Sequence, residues 1–276
     1  MQPTERFSSR VENYTRYRPG YAPAAIGLLA ARCGLSSTAV VADLGAGTGL
    51  LTESLLTRGA EVYAIEPNDR MRAAAEARLG AHARFHGVRG TAEATTLPAA
   101  SIDLLVAGQA FHWFEPAAAR REALRVMRSG GWGALLWNEH PPAGNAFLAD
   151  YDALLRRHAA EYDTIVASRA DEARMREFFG GSMELATFPN PQIYDLEALV
   201  GRLMSSSYAP EPGHPQHEPL LAGLRALFQR HARNGAIEFP YRTLVYFAQF
   251  QPSGERERLT KPARARAGRG RASHRA

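Results

Sequence analysis

Cysteine occurs once in 276 residues, at Cys33. A single thiol excludes an internal disulfide and any metal site built from several cysteines. Lysine is equally scarce, with Lys261 alone, whereas arginine and alanine abound, so one Arg or Ala carries less information than usual. No uninterrupted apolar run approaches the ~18–20 residues that a membrane-spanning helix needs. The opening Met1-Gln2-Pro3-Thr4-Glu5-Arg6 is polar and has no apolar centre of the signal-peptide kind. These absences lead to the expectation of a soluble, cytoplasmic protein without a membrane partner. Acidic residues are nearly missing from the end of the chain. From Pro252 onward eight basic residues face only Glu255 and Glu257, so that segment carries +6 of a net +5 and the rest is close to neutral. The basicity therefore belongs to a Pro/Gly/Ala/Arg tail, residues 252–276, expected to be disordered. Nucleic acid is an expected partner only through that tail.

What is present is a chain with 45% hydrophobic residues, enough for a sizeable core. Its central feature is Thr38-Ala39-Val40-Val41-Ala42-Asp43-Leu44-Gly45-Ala46-Gly47-Thr48-Gly49-Leu50-Leu51. The β-branched, apolar start reads as a strand covered on both faces, and the alternate glycines read as a tight turn into a helix. Such a turn lets backbone N–H groups approach a ligand at a helix N-terminus. A dinucleotide fingerprint, G-x-G-x-x-G, would place its third glycine at position 50 or 52, where Leu50 and Thr52 stand. A phosphate-binding P-loop fails as well, because no Gly-Lys-Ser/Thr follows. The strand Glu61-Val62-Tyr63-Ala64-Ile65-Glu66 then ends in an acid 21 residues beyond Gly45, where a β-α-β unit sets a carboxylate able to accept both hydroxyls of a ribose. Pro67-Asn68-Asp69 opens the next helix, with Asp69 read as its cap and Met71 one turn in.

Asp43-Leu44-Gly45-Ala46-Gly47-Thr48-Gly49 resembles the first motif of class I S-adenosylmethionine-dependent methyltransferases. The loop Gly90-Thr91-Ala92-Glu93-Ala94-Thr95-Thr96-Leu97-Pro98 is similar to that family's adenine loop. Asn13-Tyr14-Thr15-Arg16-Tyr17-Arg18-Pro19-Gly20-Tyr21 is similar to the segment that folds over the cofactor as a lid in its small-molecule members. His112-Trp113, after the fourth strand, is similar to a histidine–aromatic pair in the branch that includes trans-aconitate-type enzymes, within the methyltransferase type 11 kind. The resemblance implies S-adenosylmethionine as cofactor and methyl transfer to a small molecule, with a carboxylate or hydroxyl as the candidate acceptor. It implies cofactor contacts at Asp43, Gly45, Ala46, Gly47, Gly49, Glu66, Pro67, Met71, Ala92, Glu93, Gln109, Tyr14 and Arg18. His112 is the candidate catalytic base, and Trp113, Tyr17 and Tyr208 are candidate substrate contacts. No metal is expected, since Gly108 and Gln109 stand where catechol-type relatives place a ligand Asp, and Asn138 is a lone amide. A nicotinamide-dependent reductase on a similar sheet is the alternative reading, and a nucleic-acid-binding protein acting through the basic tail is another.

The implied fold is α/β, Rossmann-like, with a seven-stranded, mostly parallel sheet, an antiparallel final strand and helices on both faces. Further strands are expected over 84–88, 101–107, 132–137, 183–188 and 239–250, with Gly130-Gly131 ending the helix before the fifth strand. Helices are expected over 24–33, 50–56, 116–127, 146–160, 196–204 and 219–233. The organisation is then a lid and first helix (1–36), a cofactor-binding core (37–140), substrate-pocket helices with the last two strands of the same domain (141–251), and the tail. Arg202, Ser205, Ser206, Ser207 and Tyr208 form a polar patch that suits either an anionic substrate or plain helix-end chemistry.

Overall fold

The computed structural model describes residues 11–141, 145–167 and 171–250. The basic tail and the first ten residues lie outside the described residues.

Strands β1 (Val40–Leu44), β2 (Glu61–Ile65), β3 (Phe85–Val88), β4 (Ile102–Gly108), β5 (Met127–Glu139), β6 (Glu184–Pro189) and β9 (Arg242–Gln249) form one seven-stranded sheet, ordered β3-β2-β1-β4-β5-β9-β6. The five strands β1 to β5 are parallel, and β9 runs antiparallel to both β5 and β6. Two short strands, β7 (Gln192–Tyr194) and β8 (Ile237–Phe239), pair separately.

The two-residue period of the strands divides the core. Val41, Val62, Leu104, Val106, Leu136, Val245 and Phe247 face one layer, packed on helices α2 (Pro23–Arg32), α3 (Leu50–Leu56) and α4 (Asp69–Leu79). Ala42, Leu44, Ile65, Leu105, Leu135 and Trp137 face the other, against α5 (Pro116–Val126) and α8 (Glu172–Phe179). A third core, with Tyr151, Phe239 and Leu224 at its centre, joins α6 (Ala146–His158), α7 (Tyr162–Ala167), α9 (Leu196–Met204), α10 (His217–His231) and the β7–β8 pair. Helix α1 (Val11–Tyr17) leans on α9, where Gly201 leaves room for the Tyr17 ring.

Three expectations about elements need correction. Asn68, not Asp69, caps α4: its side chain accepts from the N–H groups of Arg70 and Met71, while Asp69 pairs with Arg72. The fifth strand begins at Met127 and passes through Gly130-Gly131 instead of starting after them. Met127 pairs with Ile102 and Trp132 with Leu104, so the intervening residues bulge out of register. The expected last strand starts at Arg242, not Phe239, because Pro240 supplies no N–H to a ladder; Phe239 ends the separate β8, and Tyr241 closes the turn by donating to the Phe239 carbonyl.

Candidate active site

The strand order reverses between β1 and β4, and in open α/β sheets ligands bind beyond the carboxyl ends of the strands at that point. A cleft of about 340 Å³ opens there. It is lined by Gly45 and Gly47 after β1, by Glu66, Pro67 and Met71 after β2, by Ala92 and Glu93, and by Gln109 after β4. Tyr14 from α1 and Trp113 complete the set of sequence-predicted residues that the fold brings together. Sequence reasoning missed Asn68, Thr91, Gly108, Ala110 and Phe114 as walls of the same cleft. All five sit beside residues it did find, and neighbourhood to the motifs was the available signal.

Glu66 is the fixed point of the cleft. Its Oε2 accepts from the Gly47 N–H at 2.8 Å and its Oε1 from the Asn68 N–H at 2.8 Å. A carboxylate offers about four lone-pair positions, so each oxygen keeps acceptor capacity for a ligand hydroxyl. Burial raises its pKa, opposed by those two backbone bonds and by Arg72.

Asp43 lies behind the glycine turn and is 1% exposed. Thr52 donates to its Oδ2 at 2.7 Å, whereas Oδ1 is buried without a hydrogen-bond partner. Burial pushes its pKa up to about 7; the Thr52 bond works against that and the nearby Glu66 charge adds to it. A buried acceptor oxygen without a donor is a costly arrangement that a cationic or hydrogen-bonding ligand would relieve.

Four amides of the glycine turn are bonded within the protein. The N–H groups of Gly45 and Ala46 both donate to the Ile65 carbonyl, that of Gly47 to Glu66, and that of Gly49 to the Ala46 carbonyl. The first three tie the turn to the end of β2 and to Glu66, and the Gly49 bond closes the turn on itself. Gly45 has a φ of 66°, and a Cβ there would meet the Ala110 Cβ at 2.6 Å. Gly49 caps α3 at a φ of 80°, with Leu79 against it, so its role is packing. Ala46 is half-buried and packs on the core next to it.

Other predicted residues stand elsewhere. His112 is in a short 3-10 turn, Phe111–Trp113, with its ring 4.6 Å from that of Trp113, and is outside the cleft lining. Tyr17 donates to Glu197 at 2.8 Å, docking α1 on α9. Tyr208 is buried beside Arg202, its ring edge-on to Tyr162. Glu93 uses its carboxylate on the Glu115 N–H, at 2.8 Å, which leaves backbone groups for any contact in the cleft.

Arg18 borders a second, smaller cavity that shares Tyr14 and Gln109 with the cleft. Gln109 joins the two with a φ of 57°, uncommon for a residue with a side chain, and donates to the Asn138 carbonyl at 2.9 Å. Asn138 in turn donates to the carbonyls of Pro19 and Gly20 and accepts from Asn190 and Thr243. Asn190 also donates to Gly20, and the Ala22 N–H donates to Thr243. This buried amide network fastens the segment after α1 across the top of β5 and β9.

The fold is the Rossmann-like one of class I methyltransferase domains. Residues 42–135 match the family described as a methyltransferase domain. An uncharacterised methyltransferase of Mycobacterium tuberculosis is 41% identical over 132 residues, 48% of this chain and 51% of that protein. The chain thus spans about half the length of the first curated relatives it matches. An uncharacterised methyltransferase-like protein of Schizosaccharomyces pombe is 23% identical over 254 residues, 90% of this chain and 96% of its own. A solved structure from Anabaena variabilis, described as a methyltransferase from an antibiotic biosynthesis pathway, superposes with a TM-score of 0.59 at 22% identity, covering 84% of this chain and 98% of that one. At that identity the likeness speaks for the fold alone. Among the described residues no helix is long and apolar enough to cross a membrane.

Proposed function

We propose that the protein transfers a methyl group from S-adenosylmethionine to a small-molecule acceptor. The observation that carries this reading is Glu66, held by two backbone N–H groups in the cleft with lone pairs to spare. The chain's residues fit the cofactor: Glu66 would take the ribose hydroxyls, and backbone groups at Ala92 and Glu93 would face the adenine. The buried Oδ1 of Asp43 would accept from the amino group, through water or backbone, which also answers its missing donor. When bound, the cofactor supplies a methyl on a positively charged sulfur; the acceptor's electron pair forms the new bond while the S–CH3 pair stays on sulfur as a neutral thioether. The protein contributes alignment. Gln109, in a left-handed conformation with its side chain donating to the Asn138 carbonyl, and Tyr14 from the fastened arm line both the cleft and the second cavity. Well-oriented reactants gain up to ~7–11 kcal/mol from proximity in favourable cases. His112 stays a candidate base only for an acceptor that must lose a proton.

A nicotinamide-dependent reductase finds less support. A dinucleotide needs turn amides for its pyrophosphate, and those of Gly45, Ala46, Gly47 and Gly49 are already bonded within the protein. Calorimetric titration tests the proposal: S-adenosylmethionine binds the wild type, NADH does not, and Glu66→Ala removes the binding while the unfolding temperature moves little. Undiminished affinity in Glu66→Ala refutes the assignment.

A further inference from the structure

The second cavity is lined by two arginines, Arg18 and Arg202, and has room for about one water-sized group, about 20 Å³. Arg202 is 2% exposed. Its Nε donates to the Tyr241 hydroxyl at 2.6 Å, and its Nη1 to the hydroxyls of Tyr151, Ser206 and Tyr208 at 3.2, 3.2 and 3.4 Å. The guanidinium lies 5.2 Å from the centre of the Phe239 ring. Every acceptor is a neutral hydroxyl, and Nη2 donates to none of the described residues. Arg18 gives its Nη2 to the Ser205 carbonyl at 2.9 Å and the Ser206 hydroxyl at 3.4 Å, while its Nε is buried without an acceptor. Neither arginine forms an ion pair among the described residues, unlike Arg72, Arg125 and Arg128, which each face a carboxylate.

Both guanidiniums therefore converge on the same Ser206 hydroxyl, two permanent positive charges drawn together without a counter-ion among the described residues. Removing such charges from water is costly unless an opposite charge joins them. The gap in this cluster has a definite sign and size: one small anion, adjoining the cleft at Tyr14 and Gln109. A planar carboxylate suits a guanidinium with an unused terminal nitrogen.

We propose that this cavity receives a carboxylate of the methyl acceptor, so that the substrate is a small organic acid anchored by Arg202 and Arg18. The inference rests on the methyl-transfer reading. It also divides the substrate's chemistry, because a carboxylate neutralised by two guanidiniums is a poor nucleophile. The anchoring carboxylate is a handle, and the atom that takes the methyl belongs to another group on the cleft side of Gln109.

The test uses the full chain saturated with S-adenosylhomocysteine. Acetate, succinate and phenylacetate, and the corresponding amides, are titrated in turn by calorimetry into the wild type, Arg18→Gln and Arg202→Met. At least one acid is expected to bind, its amide at least tenfold more weakly, and each arginine variant should weaken the acid by tenfold or more, a larger factor than any by which it weakens S-adenosylhomocysteine. If Arg202→Met does not fold, the half-buried Arg18→Gln carries the comparison. Acids that bind no better than their amides, or equally well to Arg18→Gln, overturn the anionic site and leave methyl transfer standing. Failure of S-adenosylhomocysteine to bind instead removes the methyl-transfer reading, and the same acid titrations without it still judge the arginine pair.

Discussion

Asp43→Asn should gain stability relative to the wild type as pH rises from 5 to 8. The carboxyl of Asp43 is raised from its ordinary 3.8 to about 7, chiefly by burial. Because the folded pKa lies above the unfolded one, the fold retains a proton that the unfolded chain has released between those values. Stability is therefore undiminished below about pH 4, falls as pH rises through the interval, and reaches its full penalty above about pH 7. The interval corresponds to ~4 kcal/mol at most, of which about 2–3 kcal/mol develops between pH 5 and pH 8. Asparagine keeps an acceptor for Thr52 but places an amide N–H2 where Oδ1 has no partner, a pH-independent cost of about 1–3 kcal/mol. The diagnostic quantity is thus the slope. Urea unfolding of wild type and Asp43→Asn at pH 5, 6, 7 and 8 should give a stability difference that shifts by about 2–3 kcal/mol in favour of the variant. A difference that stays constant to within about 0.5 kcal/mol would refute the claim that a buried carboxylate is being forced to ionise.

Asn138→Ala removes two donors to the arm and two acceptor contacts, a loss of about 2–4 kcal/mol, and limited proteolysis should then cut within residues 11–22 before the core; an uncut arm would deny the network that role. Gly45→Ala sets a Cβ against Ala110 at a φ of 66°, so stability should fall by about 1–3 kcal/mol and cofactor affinity with it, checked by thermal unfolding and calorimetry. Glu122 accepts from Arg125 and from the backbone and hydroxyl of Thr95, and the Arg125 bond above all holds its pKa down at about 2. That contribution is present above its ordinary 4.5 and disappears as pH falls toward about 2, so Glu122→Gln should flatten the acid limb of the stability profile measured by circular dichroism.

The parts of this molecule legible in its sequence are those encoded locally. Val40 to Gly49 specified strand, turn and helix through β-branching and glycine spacing, and Glu66 followed from the length of one β-α-β unit. The alternation of strand and helix gave the parallel sheet. The helix cap at Asn68 was misplaced by one residue because Asn and Asp cap equally well and stand side by side. The bulge in β5 depends on how β4 lies alongside it, and that is not written in the segment, whereas the start of β9 follows from Pro240 itself. The second cavity was hardest to read. Arg18 and Arg202 are brought together by α9 and the arm, and a polar run such as Arg202 to Tyr208 looks the same whether it caps a helix or faces a ligand.

The network around Asn138 ties together chain segments near residues 19, 138, 190 and 243. An assembly order follows. The Glu66 frame draws only on the turn after β1 and the residues that follow β2, so all its parts lie early in the chain. The roof over the reacting end cannot close until β9, the last described strand, has been inserted between β5 and β6. A nascent or C-terminally truncated chain would then hold the cofactor in an open cleft, and closure over the acceptor would double as a check that the whole sheet has been built.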